Sequence, residues 1–127
     1  MSFFLPGTNT PATTSAFGVI FTDVEVAGST KLEFFNESNA LIYTRDALAG
    51  VNQGLSFLGA AALSGERISR VRITSGANTI VSNGVLGNPD PDVVVMDDFI
   101  YATPVPEPGT ALFGLALCGV AAVRRRR

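Results

Sequence analysis

Residues 30–44 read TKLEFFNESNALIYT, two alternating runs joined by four turn-forming residues. Lys31 and Glu33 point one way and Leu32 and Phe34 the other, and Ala40–Thr44 returns after Asn36–Asn39, so the segment predicts a β-hairpin. The same grammar recurs along the chain. FGVIFTD (Phe17–Asp23), LSFLGAAAL (Leu55–Leu63), RISRVRITS (Arg67–Ser75) and DVVVMDDFIY (Asp92–Tyr101) are β-branched or aromatic runs between Gly, Asn, Ser and Pro clusters. Gly59 suggests a bulge, Arg70 and Arg72 share the face opposite Val71 and Ile73, and NGVLGNPDP (Asn83–Pro91) reads as a loop. No stretch before Pro104 keeps a helical apolar period over three turns. Strands spaced by roughly ten residues, with turns between them, predict an antiparallel sandwich or barrel.

The run Asp92–Tyr101 is apolar at both odd and even positions, which predicts a central strand covered on both faces. Asp97 and Asp98 then face opposite ways, and each needs a partner if buried. One reading is a calcium site, with Asp97 or Asp98 joined by loop oxygens from Asp90, Asp92 or Asp23. The plainer reading pairs one aspartate with backbone N–H groups, Arg70 or Arg72 and leaves the other in solvent. NPDPD (Asn88–Asp92) lacks the glycine pivot and final glutamate of an EF-hand loop. Apart from calcium, no cofactor is expected. Phe35, Tyr43 and Tyr101 are candidates for stacking on sugar rings, against an ordinary role in core packing.

The chain has 127 residues and no histidine, which removes the commonest general base and metal ligand. Its serines and threonines therefore have no imidazole to activate them. SGAN (Ser75–Asn78) is not followed by the helix that a phosphate-binding loop requires. Asp97 and Asp98 are adjacent on a strand and cannot flank one bond as a hydrolytic pair. A non-enzymatic protein is expected. Residues 1–103 carry five basic side chains against ten acidic ones, which argues against nucleic acid as a partner. The single cysteine, Cys118, sits in an apolar segment and reads as a small hydrophobe.

The C-terminal residues are of another kind. VPEPG (Val105–Gly109) is extended by its prolines, fourteen uncharged residues follow over 110–123, and Arg124, Arg125, Arg126 and Arg127 end the chain. A helix over 110–123 is about 21 Å long, against a hydrocarbon core of about 30 Å. Length alone leaves both a buried core helix and a short membrane span open. All-round apolarity favours the span, as does the arginine cluster, whose side chains snorkel to the interface and stay on the cytoplasmic side. At the other end, MSFFLPGTNTPATTS has no basic segment and its apolar run stops at Leu5, unlike a secretory signal.

Pro106-Glu107-Pro108, an apolar segment rich in Leu, Gly and Ala, and the terminal Arg124–Arg127 cluster together resemble the PEP-CTERM sorting signal. The resemblance implies recognition by an exosortase, a membrane enzyme of Gram-negative bacteria with exopolysaccharide or biofilm systems, and cleavage near the motif. The motif residues Val105, Pro106, Glu107, Pro108 and Gly109 are then substrate rather than catalyst. The body also resembles a recurrent ectodomain of such proteins. The matching stretches are FLPGT (Phe4–Thr8), FGVIFTDV (Phe17–Val24), LSFLG (Leu55–Gly59), GERI (Gly65–Ile68), VRITSG (Val71–Gly76) and DVVVMDDF (Asp92–Phe99). Such domains are similar to jelly-roll, carbohydrate-binding-like sandwiches.

The expected fold is therefore mainly β: an antiparallel, jelly-roll-like and incomplete β-sandwich over 1–103, with one C-terminal transmembrane α-helix. The sorting signal occupies 104–127, as motif 105–109, helix 110–123 and basic cluster 124–127. The expected partners are an exosortase, the inner membrane and exopolysaccharide. The expected location is the inner membrane with the body in the periplasm, then the cell surface after processing. The alternative is a carbohydrate- or calcium-binding module on an uncleaved anchor. Relatives carry an export signal and a longer β region ahead of the FLPGT segment, so an N-terminally truncated chain is expected.

Overall fold

A computed structural model of the protein describes residues 1–77, 81–82, 85–86 and 92–107. These residues are mainly β. In chain order the strands are β1 (Phe3–Phe4), β2 (Pro11–Thr13), β3 (Ala16–Thr22), β4 (Lys31–Phe35), β5 (Leu41–Asp46), β6 (Leu55–Ala61), β7 (Arg70–Thr74), β8 (Val81–Ser82), β9 (Val85–Leu86), β10 (Val95–Tyr101) and β11 (Val105–Pro106). They form three three-stranded antiparallel sheets, ordered β10-β3-β6, β5-β4-β7 and β1-β2-β11, and the pair β8-β9.

The core lies between the two larger sheets. Phe17, Val19 and Phe21 alternate inward from β3, Leu32 and Phe34 from β4, and Leu58 and Val71 from the flanking strands. Phe17 and Phe34 meet edge to face with centroids 6.4 Å apart. Each fully buried Phe or Leu contributes about 1.5–3 kcal/mol by leaving water. Phe3 joins the same cluster, 6.1 Å from Phe17.

The β4–β5 hairpin forms as its alternation predicts, with Leu32 opposite Arg45 and Phe34 opposite Tyr43. Asn36 shapes the turn, its Oδ1 accepting from Ser38 N at 3.0 Å and Ala40 N at 2.9 Å, and Asn39 takes φ +59°. Arg70 and Arg72 share one face of β7, and Val71 and Ile73 the other.

Three expectations are corrected. Gly59 is no bulge; it pairs in regular register with Gly18, because the Phe57 ring packs over both glycines and leaves no room for a Cβ at either. The loop expected over 83–91 contains β9, where Val85–Leu86 pairs with Val81–Ser82. The third concerns β10. It is not a strand covered on both faces: among the described residues it pairs only with β3, and all seven of its residues are exposed. The odd–even reading fails because β10 carries one extra residue between Asp97 and Ile100. Asp98 absorbs it in the left-handed region at φ +52°, its N–H donating to Asp97 Oδ1 at 2.8 Å. Val95, Asp97 and Ile100 therefore line up opposite Thr22, Ile20 and Gly18, and Met96 and Tyr101 opposite Phe21 and Phe17.

Candidate functional site

The segment leading out of β10 is tied to the N-terminal strands. The Ala102 N–H donates to the Ala16 carbonyl at 3.1 Å. Thr14 Oγ1 donates to the Ala102 carbonyl at 2.8 Å. Thr14 is itself fixed, exchanging both main-chain hydrogen bonds with Ile68 at 2.9 Å, and it is buried. Past Pro104 the chain becomes β11, with Val105 opposite Thr13 and Pro106 opposite Ala12. Arg67 Nη1 donates to Thr13 Oγ1 at 3.1 Å and holds that strand from behind.

Local chemistry explains the short length of β11. Val105 is β-branched and favours extended backbone. Pro106 has a fixed φ and no N–H, so it suits an outer strand and cannot extend a ladder on both sides. Val105 and Pro106 are exposed and Glu107 is half-buried. Pro108, Gly109, the segment 110–123 and Arg124–Arg127 lie outside the described residues. Among the described residues no helix is long and apolar enough to cross a membrane.

The acidic candidates do not converge. Asp92 is buried as a clamp: its carboxylate accepts from Glu25 N at 3.1 Å, from Val26 N at 3.3 Å and from Ser29 Oγ. Its carbonyl accepts from Ala77 N at 3.0 Å. Asp97 and Asp98 sit exposed at the β10 bulge, and Asp90 lies outside the described residues. Asp23 Oδ1 accepts from Gln53 N at 2.7 Å. Among the described residues no three acidic, His or Cys side chains gather in a way that holds a metal ion.

Of the plainer reading, the backbone contact is present, with the Asp98 N–H donating to Asp97 Oδ1 and Asp98 left exposed, whereas neither Arg70 nor Arg72 partners either aspartate. Arg72 pairs with Glu33, and Arg70 donates to Asn39 Oδ1 at 2.6 Å. Both guanidinium groups lie over Phe35, at 4.0 Å and 5.5 Å from its centroid, so that ring is covered. Tyr43 and Tyr101 are half exposed, leaning on Phe34 and Phe3 with centroids 5.8 Å apart in each pair. Tyr43 also lines a cleft of about 490 Å³ between β5 and β6, together with Ile42, Ala62, Ser64 and Glu66.

The three-stranded sheet β1-β2-β11 was not foreseen from the sequence. Its strands are two or three residues long, too short for alternation to register, and the Pro104–Pro108 spacing pointed only to an extended backbone.

No curated protein and no solved structure matches the chain. A family model described as the PEP-CTERM protein-sorting motif matches residues 104–127, beginning one residue before β11. The strand laid on β2 is thus the opening of that motif, and the chain is a protein that carries a PEP-CTERM protein-sorting motif.

Proposed function

We propose that the chain is a non-enzymatic exported protein of the cell envelope or surface, delivered by an exosortase that acts on residues 104–127. The match of the PEP-CTERM motif to those residues carries this reading. In it, 110–123 is a transmembrane helix, Arg124–Arg127 stay in the cytoplasm, and the body stands in the periplasm until processing moves it to the surface or the exopolysaccharide matrix. In this reading the body is an antiparallel, jelly-roll-like and incomplete sandwich, which the packing of the two larger sheets across the Phe17–Phe34 core supports. Fractionation of cells with and without an exosortase tests the reading. The full chain should stay in the inner membrane without the enzyme and leave it with the enzyme. Equal membrane retention in both overturns it.

One observation favours a second reading, a carbohydrate-binding module. The cleft between β5 and β6 combines the half-exposed Tyr43 ring with Ser64 and Glu66, an aromatic platform beside polar groups. Calorimetry of the full chain in detergent against a glycan panel, with Tyr43→Ala as control, tests it. Binding that the variant loses supports the module, and no heat with any glycan removes it.

A further inference from the structure

The opening of the sorting motif is already engaged by the protein's own body. Pairing with β2 occupies one edge of Val105–Pro106, and the Thr14 hydroxyl holds the chain just before it at Ala102. An enzyme that takes an extended segment reads its main chain by strand-like hydrogen bonds. This segment is poor in donors. Of Val105–Gly109, Pro106 and Pro108 have no N–H, which leaves Val105, Glu107 and Gly109. An enzyme that pairs with the same edge of Val105–Pro106 therefore competes with β2 for this short stretch. β11 is only two residues long and lies on the outside of its sheet, so it can open without unfolding the Phe17–Phe34 core.

Building on the reading of the chain as an exosortase substrate, we infer that β2 and Thr14 sheathe the start of the motif, and that β11 must detach before the enzyme reads it. Thr14 is then a positioning residue: it touches neither enzyme nor scissile bond, and sets how often the strand is free. Thr14→Val keeps the shape and removes the hydroxyl, which raises the open population about fivefold. Thr14→Ser keeps the hydroxyl and should behave as wild type. Cysteines at the paired positions 13 and 105 close the strand covalently.

The test follows loss of the tail by pulse-chase on the full chain, in exosortase-containing cells and in cells lacking the enzyme. The variants are Thr14→Val, Thr14→Ser, and Thr13→Cys with Val105→Cys in a Cys118→Ser background. Processing should be about fivefold faster for Thr14→Val and unchanged for Thr14→Ser. For the oxidised cysteine pair it should fall at least about tenfold and recover on reduction. Amide exchange at Ala102 should quicken in Thr14→Val alone. An oxidised pair processed at the reduced rate overturns the inference. So does Thr14→Val that exchanges faster at Ala102 yet is processed no faster. If Thr14→Val unfolds, the cysteine pair decides. A wild-type chain that keeps its tail in enzyme-containing cells overturns the functional reading instead, and this inference with it.

Discussion

Glu33 and Arg72 face each other in the β4–β7 register and join at two points, Nε to Oε2 and Nη2 to Oε1, each at 2.6 Å. The fork-to-fork geometry suits the planar guanidinium, and Arg72 lies over Phe35 in the same arrangement. Glu33 is thereby covered although its position in the alternation faces away from the core, and the arginines that the sequence offered to Asp97 and Asp98 are engaged elsewhere.

The hydrogen bond from Arg72 holds the Glu33 carboxyl below its ordinary value of 4.5. A carboxylate depressed in the folded state adds stability above its unfolded value, and that stability is lost as pH falls through the folded value. Melting temperature should therefore drop as acid titrates Glu33, with a flatter acid limb in Glu33→Gln. The variant should melt below wild type near neutral pH, and the two curves should approach each other as pH falls from neutral through the depressed folded-state value. Thermal melts across that range check the sign, and parallel curves would contradict it.

The Gly18–Gly59 pair should respond unequally to alanine. A Cβ at Gly59 comes within 3.1 Å of both the Gly18 Cα and the Phe17 carbonyl, which are backbone and cannot swing away. A Cβ at Gly18 meets chiefly the exposed Phe57 ring, at 2.8 Å. Gly59→Ala should cost about 1–3 kcal/mol and Gly18→Ala less. Adding Phe57→Ala should restore Gly18→Ala and leave most of the Gly59→Ala loss. Urea unfolding of the four variants checks the ranking.

Much of the core was legible because its signal is alternation in strands of five to seven residues: Phe17, Val19, Phe21, Leu32, Phe34 and Val71 all lie where period two puts them. What was missed depends on single residues that reset that count. Asp98 shifts β10 by one place, and neither the calcium reading nor the plainer one places a bulge there, although a short acceptor side chain tolerating positive φ is also the chemistry of a bulge. Within the candidate site, the Pro106–Pro108 spacing and the arginine cluster were readable as a motif. The docking of Val105–Pro106 on β2 was not, since it joins two- and three-residue strands far apart in sequence.

Gly76 and Asp92 form one junction. Gly76 has φ +68°, and a Cβ there would lie 2.5 Å from the Asp92 carbonyl oxygen. Gly76→Ala should cost at least about 1–3 kcal/mol through strain, with the clash in addition. Asp92→Asn keeps the shape but weakens the acceptor for Glu25 N, Val26 N and Ser29 Oγ, and should cost about 1–3 kcal/mol. Because one change displaces the main chain of Asp92 and the other loosens its side chain, the two perturb the same residue and the double variant should lose less than their sum, a coupling that chemical denaturation reads directly.

In the function proposed above, residues 104–127 are an address read by a processing enzyme, a reading that the motif match supports. The most direct measurement is the intact mass of the full chain recovered from paired cells with and without an exosortase. A chain shortened near Pro106–Pro108 should appear only where the enzyme is present, with Glu107→Ala slowing the shortening. The same unshortened mass in both cells would contradict this reading.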